Sequence, residues 1–244
     1  MAKLPSTRVS PETLFYTAST TKAFTAAALS ILIDESTSPK STSAPLAWTT
    51  PLADIIRDDF VLTDEYATGH VSFEDALSHR SGMPRHDLTY GGKANTVKDI
   101  VRSFRHLPLT AEIRTKYQYC NIMFCAVSHA IETITGQWFG DVLKSKLWHP
   151  LGMNSTFLSY SDALAAQERG GSPLAMGYIW DEKDQSFKQQ DYIKGYELSG
   201  AGGVISNVRD YAMWLRMMMN GAAPVSEKGT RCSHHPAELC PLRG

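Results

Sequence analysis

Apolar positions at helical spacing predict a chain built mainly from helices. The segment 18–34 is apolar on every side, which is typical of a helix buried inside a protein. A second helix is predicted from about Asn121 to Thr135, closed by Gly136, because glycine readily adopts the left-handed conformation that ends helices. A third is predicted over about 138–148, where Pro150 stops it.

Two further helices are predicted from shorter signals. The stretch 70–79 is a short candidate with Ser72 as its N-cap. The last helix is predicted to begin near Ser206 or Asn207, with Gly221 just after its end. Its predicted apolar face consists of Val208, Tyr211, Leu215, Met218 and Met219.

The rest of the chain predicts strands, loops and a tail. The run 13–17 is rich in β-prone residues, and the polar stretch 167–195 is typical of short strands and loops. Serine, threonine and proline dominate 34–50, which predicts a loop or insertion. Because the end of the chain has no periodicity, we predict one domain over 1–224 and an irregular tail over 225–244.

Charge and composition narrow the possible partners. The formal net charge is −1, with no basic stripe or acidic block, so we expect no nucleic-acid partner. The N-terminus has no signal-like apolar segment, and no apolar run is long enough to cross a bilayer. These features predict a soluble, cytoplasmic protein without a membrane partner. The sequence leaves the oligomeric state open.

Metal and cofactor chemistry is not indicated. The four cysteines, which show no spacing typical of a disulfide scaffold, are Cys120, Cys125, Cys232 and Cys240. One cluster of metal-ligating residue types consists of Cys232, His234, His235 and Cys240. Its spacing matches no zinc pattern, and the glycine-rich nucleotide-binding motifs are missing. We therefore expect neither a metal nor a cofactor.

The first candidate for chemistry is an S-x-x-K motif at the start of the first predicted helix. Ser19 and Lys22 are three residues apart and so lie on one helical face. A serine hydroxyl becomes a good nucleophile only when a base takes its proton. We expect apolar surroundings, including Phe24, to disfavour the ammonium form of Lys22 and make it that base.

The second candidate is a Y-x-N motif at the start of the Asn121 helix. A tyrosine such as Tyr119 can relay protons, and an asparagine can hydrogen-bond an amide or ester carbonyl. Each motif alone has a simpler interpretation as a helix cap or a packed aromatic residue. Together they gain weight, because each occurs once and in this order.

At this point the sequence resembles the serine β-lactamase and transpeptidase superfamily, in its class C-related branch. The stretches that carry the resemblance, besides the two motifs, are LSHRSGMP (Leu77–Pro84), HPLGMNST (His149–Thr156) and SGAGGVISNVRDYAMW (Ser199–Trp214). The resemblance covers about 13–221 and implies an α+β, β-lactamase/transpeptidase-like fold, here weighted toward helix. It makes His79, Gly82 and Gly200 scaffold residues.

The resemblance also implies roles at a catalytic site. Ser19 would attack a carbonyl to form an acyl-enzyme, Lys22 and Tyr119 would share the proton transfers, and Asn121 would hold the substrate. The Ser19 backbone N–H would provide one oxyanion donor. The expected partner is a small-molecule acyl substrate such as an ester, an amide or a β-lactam, with the acyl group passing to water or to another acceptor.

The sequence departs from the family at its third motif. No K-T-G, K-S-G or H-x-G follows Asn121, and few residues precede Ser19, so we expect a domain shortened at both ends. The alternatives are an inactive homologue that binds a partner and an unrelated helical binding domain. Among other candidates, His86 and Asp87 are interpreted as loop residues, and nothing marks Cys120 as activated.

Overall fold

The computed structural model describes residues 8–39, 44–87, 89, 96–192 and 198–221. The chain divides into two compact units. The helical unit consists of Thr17–Lys146 and Gly195–Val204, and the strand-bearing unit consists of Met1–Tyr16, Leu147–Lys194 and Ile205–Gly244. The predicted tail 225–244 lies outside the described residues, as does the cluster Cys232, His234, His235 and Cys240.

Helices dominate the described structure. In chain order they are α1 (Thr21–Thr37), α2 (Leu52–Ile56), α3 (Glu65–His70), α4 (Phe73–Leu77), α5 (Val97–Ser103), α6 (Asn121–Thr135), α7 (Phe139–Leu143), α8 (Tyr160–Glu168), α9 (Ser199–Gly202) and α10 (Val208–Met219). The strands are β1 (Phe15–Tyr16), β2 (Gly177–Asp181), β3 (Ser186–Gln190) and β4 (Ile205–Ser206). Short 3-10 turns cover Ala18–Thr20 and Phe104–His106.

Helix α6 forms the centre of the helical unit. Every residue from Ile122 to Ile131 is buried, because the helix packs against α1, α2, α4, α5, α7 and α9. Its predicted bounds are confirmed, and Gly136 ends it with a φ of 65°. The helix predicted over 138–148 is instead the short α7, followed by a π-helical turn over Lys144–Trp148.

Helix α1 runs further than the sequence predicts. The loop expected from residue 34 begins only after Thr37, so that prediction is wrong for its first residues. The hydroxyls of Ser36 and Thr37 donate to the carbonyls of Ile33 and Asp34 at 2.8 and 3.1 Å. Serine and threonine often favour turns, but here their hydroxyls form hydrogen bonds within the helix, which therefore continues to Thr37.

The short helices α3 and α4 are set by their caps. Ser72 begins α4 as predicted, in a reciprocal capping box with Asp75. The predicted helix 70–79 is longer than α4, because His70 belongs to α3. The sequence prediction did not include α3, whose N-cap Asp64 accepts a hydrogen bond from the Ala67 N–H at 2.6 Å.

Among its described residues, the strand-bearing unit contains two small antiparallel sheets. Strand β1 pairs with β4, and β2 pairs with β3 as a hairpin, which confirms the predicted strands in 13–17 and 167–195. A buried apolar cluster in this unit consists of Leu14, Ala163, Leu174 and Ile205. The aromatic residues packed against it are Tyr16, Phe157, Tyr160 and Tyr192.

Helix α10 buries a different face from the one predicted. Asn207 caps it and Gly221 follows it with a φ of 73°, as predicted. Its buried side chains are Asp210, Trp214 and Met217, whereas Val208, Leu215, Met218 and Met219 are 51–85% exposed. The reason is that Asp210 accepts hydrogen bonds from the Ser155 N–H and the Thr156 hydroxyl, both at 2.7 Å. Because of these hydrogen bonds, the face of α10 that carries Asp210 is the buried one.

Within the described ranges, no helix is both long and apolar enough to cross a membrane.

Candidate active site

The exposed Ser19 lies in the 3-10 turn that leads into α1. The Thr17 N–H and hydroxyl donate to the Val204 carbonyl at 2.9 and 3.0 Å, and the Val204 N–H donates to Thr21 Oγ1 at 3.1 Å. Val204 therefore fixes the backbone on both sides of Ser19. Ala18 has a φ of 47°, an uncommon conformation for a residue with a side chain and one that concentrates at functional sites.

Lys22 lies one turn further along and is 9% exposed. Its Nζ donates to Ser19 Oγ at 3.3 Å, to Asn121 Oδ1 at 2.7 Å and to the Ala201 carbonyl at 2.8 Å. Three acceptors match the three N–H donors of an ammonium group. The expected apolar surroundings are therefore only partly present, because oxygen atoms share the site with the rings of Tyr119 and Phe124.

Tyr119 is the second group that contacts the Ser19 hydroxyl. Its hydroxyl donates to Ser19 Oγ at 2.7 Å. Burial raises the pKa of the Tyr119 phenol, but the interaction with Lys22, the hydrogen bond with Ser19 and the positive charges of Lys22 and Arg85 outweigh that effect. The pKa of Tyr119 is consequently below its ordinary value, which increases the fraction of phenolate available to take a proton.

Asn121, the first residue of α6, connects this group to a neighbouring loop. Its Oδ1 accepts from Lys22, and its Nδ2 donates to Asp87 Oδ1 at 3.1 Å. Asp87 forms an ion pair with Arg85 at 2.5 Å, and the Arg85 guanidinium lies 4.8 Å from the centre of the Tyr119 ring. The structure thus brings together all four site residues predicted from the sequence.

Sequence reasoning missed three contributors to this group, namely Arg85, Asp87 and the Ala201 carbonyl. The sequence indicates only loop residues at His86 and Asp87. His86 is a loop residue outside the site, and its Nε2 lies 3.1 Å from the Pro108 carbonyl oxygen. Asp87, in contrast, contacts Asn121. No spacing in the sequence indicates that this loop returns to the start of α6, and a backbone carbonyl leaves no sequence signal.

Glycines in the scaffold allow the close approach of α9. A Cβ at Gly200 would overlap the Phe124 carbonyl and the Ser128 side chain, so the predicted role of Gly200 is confirmed. The Gly200 carbonyl also accepts from the Thr25 hydroxyl at 2.7 Å. This contact holds α9 against α1 and α6, and so delivers the next carbonyl, that of Ala201, to Lys22.

Cys120, the neighbour of Tyr119 in the chain, is not activated as a nucleophile. Burial raises the pKa of the Cys120 thiol to about 12, so it stays protonated and is a poor nucleophile. The described part of the chain also contains no group of three or more histidine, cysteine, aspartate or glutamate residues that could hold a metal.

Comparison with known proteins places this geometry in a family. The β-lactamase family model matches residues 2–232, and the chain belongs to the β-lactamase family. It is 46% identical over 229 residues to the unguisins hydrolase ungD' of Aspergillus campestris, covering 92% of this chain and 41% of that protein. It is 43% identical over 225 residues to the unguisins hydrolase ungD of Aspergillus violaceofuscus, covering 89% and 38%. The chain thus spans less than half the length of these relatives.

Solved structures confirm the fold prediction. The D-amino acid amidase of Ochrobactrum anthropi SV3, complexed with D-phenylalanine, superposes with a TM-score of 0.74 at 23% identity, covering 93% of this chain and 62% of that one. The octameric penicillin-binding protein homologue of Pyrococcus abyssi gives a TM-score of 0.68 at 23% identity, covering 86% and 46%. The α+β, β-lactamase/transpeptidase-like fold and its weighting toward helix are therefore as expected.

Proposed function

We propose that this chain carries the nucleophile of a serine hydrolase or acyltransferase that works through a covalent acyl-enzyme. One observation carries the proposal: the hydroxyl of an exposed serine, Ser19, lies within hydrogen-bond distance of both a lysine amine and a tyrosine hydroxyl. Nucleophilic serine catalysis requires such a base beside the hydroxyl. The simpler interpretations of the two motifs are a helix cap and a packed aromatic residue. Neither interpretation requires a lysine amine and a tyrosine hydroxyl to lie beside the same serine hydroxyl.

In the acylation step, Ser19 Oγ forms a bond to the substrate carbonyl carbon while its proton passes to the ionised Tyr119 oxygen. The tetrahedral intermediate then collapses. Its bond to the leaving nitrogen or oxygen breaks, and Tyr119 returns the proton to that leaving atom. The Ser19 backbone N–H is the proposed donor to the oxyanion. This assignment gives Tyr119 the larger share of the proton transfer.

Lys22 supports that step as a cation. Its three acceptors suit an ammonium group, and its charge favours the phenolate form of Tyr119. This modifies the sequence-based expectation that Lys22 is the base. Deacylation uses the same groups: Tyr119 takes a proton from water, or from an acceptor alcohol or amine, whose oxygen or nitrogen attacks the acyl carbon. The bond from that carbon to Ser19 Oγ then breaks, and Tyr119 gives the proton to Ser19 Oγ.

Asn121 is the proposed contact for the substrate carbonyl. Its Nδ2 donates to Asp87, and a substrate carbonyl would compete with that carboxylate for the same N–H. Structural similarity to a D-amino acid amidase favours an amide among the substrate classes considered. Esters, β-lactams and transfer to an acceptor other than water stay within the proposal.

A fluorophosphonate probe tests the nucleophile directly, with intact mass as the readout. We expect one adduct on the purified chain and none on Ser19→Ala. Tyr119→Phe should label about 100-fold or more slowly, because removing a general base costs roughly 10²–10⁴ in rate. Thr20→Ala is the matched control, since its exposed hydroxyl is adjacent in the chain and contacts the Thr17 carbonyl instead.

The outcome also decides the second candidate, an inactive homologue; its basis is that no K-T-G, K-S-G or H-x-G occurs between Asn121 and position 244. If the folded chain takes up no probe, or if Ser19→Ala labels at the wild-type rate, the acyl-enzyme proposal is wrong. Labelling that requires Ser19 but proceeds equally well in Tyr119→Phe would keep the nucleophile and reject Tyr119 as its base.

A further inference from the structure

His79 holds the chain on both sides of Tyr119. Its backbone carbonyl accepts a hydrogen bond from the Gln118 N–H at 2.8 Å, and its Nδ1 accepts one from the Cys120 N–H at 3.0 Å. Gln118 and Cys120 are the two neighbours of Tyr119 in the chain. A single residue, distant in sequence, therefore fixes the backbone immediately before and after the tyrosine.

The position of His79 is itself tightly constrained. The residue is 7% exposed and has a φ of 61°, at the end of the capped helix α4. The Arg80 N–H, one residue on, donates to the Asp75 carbonyl at 2.8 Å. The Asp75 carboxylate in turn is held by Arg114 Nη2 at 2.9 Å. A rigid turn is thus available to support the Tyr119 segment.

The His79 ring also supports the phenol ring itself. The centres of the two rings are 4.5 Å apart and their planes are tilted by 32°. The Phe124 ring, whose centre lies 5.2 Å from that of His79, contacts it from α6. Aromatic pairs at this separation are attractive beyond the area they bury. Moving the imidazole would therefore change the direction of the Tyr119 ring.

The hydrogen bond to Cys120 determines the protonation state of His79. A backbone N–H only donates, so Nδ1 must be unprotonated and the ring proton must be on Nε2. Burial, together with the charges of Lys22 and Arg85, lowers the pKa of His79 to about 4, so the neutral ring is the stable form near pH 7. Its setting thus suits an acceptor rather than an acid or base.

We propose that His79 is a positioning residue, which sets the distance and direction of the Tyr119 hydroxyl toward Ser19 mainly through its hydrogen bond to the Cys120 amide, with the ring contact as a smaller contribution. The inference rests on the proposed function, in which Tyr119 transfers the serine proton. It adds a specific role for a residue that the sequence analysis assigned only to the scaffold.

Two substitutions that differ by one methylene test this role. His79→Asn places a carbonyl oxygen at the same number of bonds from Cα as Nδ1, and asparagine tolerates positive φ. His79→Gln moves the acceptor one bond outward. The limiting rate and the half-saturation concentration for fluorophosphonate labelling are measured for both variants, with unfolding midpoints and circular dichroism to confirm folding.

We expect His79→Gln to lower the limiting labelling rate by about 10- to 100-fold with little change in half-saturation, because misplacing a reacting group by about 1 Å costs up to about 100-fold. His79→Asn should recover most of that rate. A merely structural histidine would predict losses that follow the unfolding midpoint. Equal rates for wild type and His79→Gln, or equal losses in both folded variants, overturn the inference.

Hydrogen exchange gives a readout that does not need activity. Mass spectrometry of peptides covering 117–121 should show faster exchange of one amide, that of Cys120, in His79→Gln but not in His79→Asn. If the wild-type chain takes up no probe, the proposed function fails while the exchange result still decides whether His79 holds this segment. If Tyr119→Phe slows labelling but His79→Gln changes neither rate nor exchange, only the positioning role is wrong.

Discussion

The two units of the chain differ in how completely their elements bury large apolar side chains. In the helical unit, α6 is buried along most of its length, and rings such as Phe60 and Phe104 pack edge to face. In the strand-bearing unit, α10 exposes Leu215 and Met219, and the β2–β3 hairpin exposes Trp180. The candidate site belongs entirely to the helical unit.

The apolar pattern of a sequence carries two kinds of information, namely that a segment is helical and which of its faces is buried. Periodicity identified both α6 and α10 as helices, but it did not identify the face that α10 buries. A helix that is apolar along most of its length, such as α6, is buried on all sides. In α10 the acidic Asp210 has hydrogen-bond donors at 2.7 Å, and satisfying a carboxylate decides the orientation of the helix against its apolar stripe.

The sharpest test of the contrast compares one large side chain from each unit. Phe60 is fully buried, so Phe60→Ala should lower the free energy of unfolding by about 3–5 kcal/mol through lost transfer energy and a cavity. Met219 is 85% exposed, so Met219→Ala should change it by no more than about 0.5 kcal/mol. Urea unfolding at pH 7 measures both. If both variants lower the free energy of unfolding by similar amounts, the contrast between the two units is wrong.

Acid should lower the free energy of unfolding of the helical unit, because His79 is harder to protonate in the folded chain than in the unfolded chain. Its pKa is about 4 in the folded chain and about 6.5 in an unfolded one. Above pH 6.5 neither state is protonated and the contribution to stability is complete. As the pH falls from 6.5 to 4, only the unfolded state gains the proton, and stability declines by on the order of 3 kcal/mol.

The His79→Asn variant has no imidazole and provides the control. The free energy of unfolding, measured at several pH values between 7 and about 4, should decline less steeply in this variant than in the wild type. Parallel curves would show that His79 is as easily protonated when folded as when unfolded. Below pH 4 the two curves should run parallel, because both states of the wild type are then protonated.

Alkali should have a smaller effect, and it should act on the strand-bearing unit. Burial, together with neighbouring tyrosines including Tyr16 and Tyr160, raises the pKa of Tyr192 to about 12. Its contribution is complete below the unfolded pKa of about 10 and is lost as the pH rises through the folded value. Tyr192→Phe keeps the ring but cannot ionise, so its stability should decline less between pH 10 and 12. Identical alkaline curves for the two proteins would contradict this.

Much of the site was predictable because its side chains follow local rules. Ser19 and Lys22 share a helical face, and Tyr119 and Asn121 stand at a helix start. Their meeting was predictable only from the resemblance to a family, since nothing local joins positions 19 and 119. The surroundings of Lys22 were partly mispredicted, because neighbours in sequence do not show which oxygens the fold brings to an amine.

The fold was predictable where the start, end or burial of a helix depends on residues within it or directly beside it. Helix α6 needed only its apolar run and Gly136, and α4 needed only its Ser72 cap. Boundaries and faces set by distant partners were not predictable. The end of α1 depends on hydroxyls that bond within the helix, and the buried face of α10 depends on a carboxylate whose donors lie about 55 residues away in sequence.

The three acceptors of Lys22 have a consequence for the order of assembly. One lies three residues earlier, in the 3-10 turn that leads into α1, whereas the others come from positions 121 and 201, the latter 179 residues further along the chain. Closing long loops is the slow part of folding. The amine therefore completes its set of partners only when the most distant chain segments have met, and the onset of probe labelling during refolding would mark that late event.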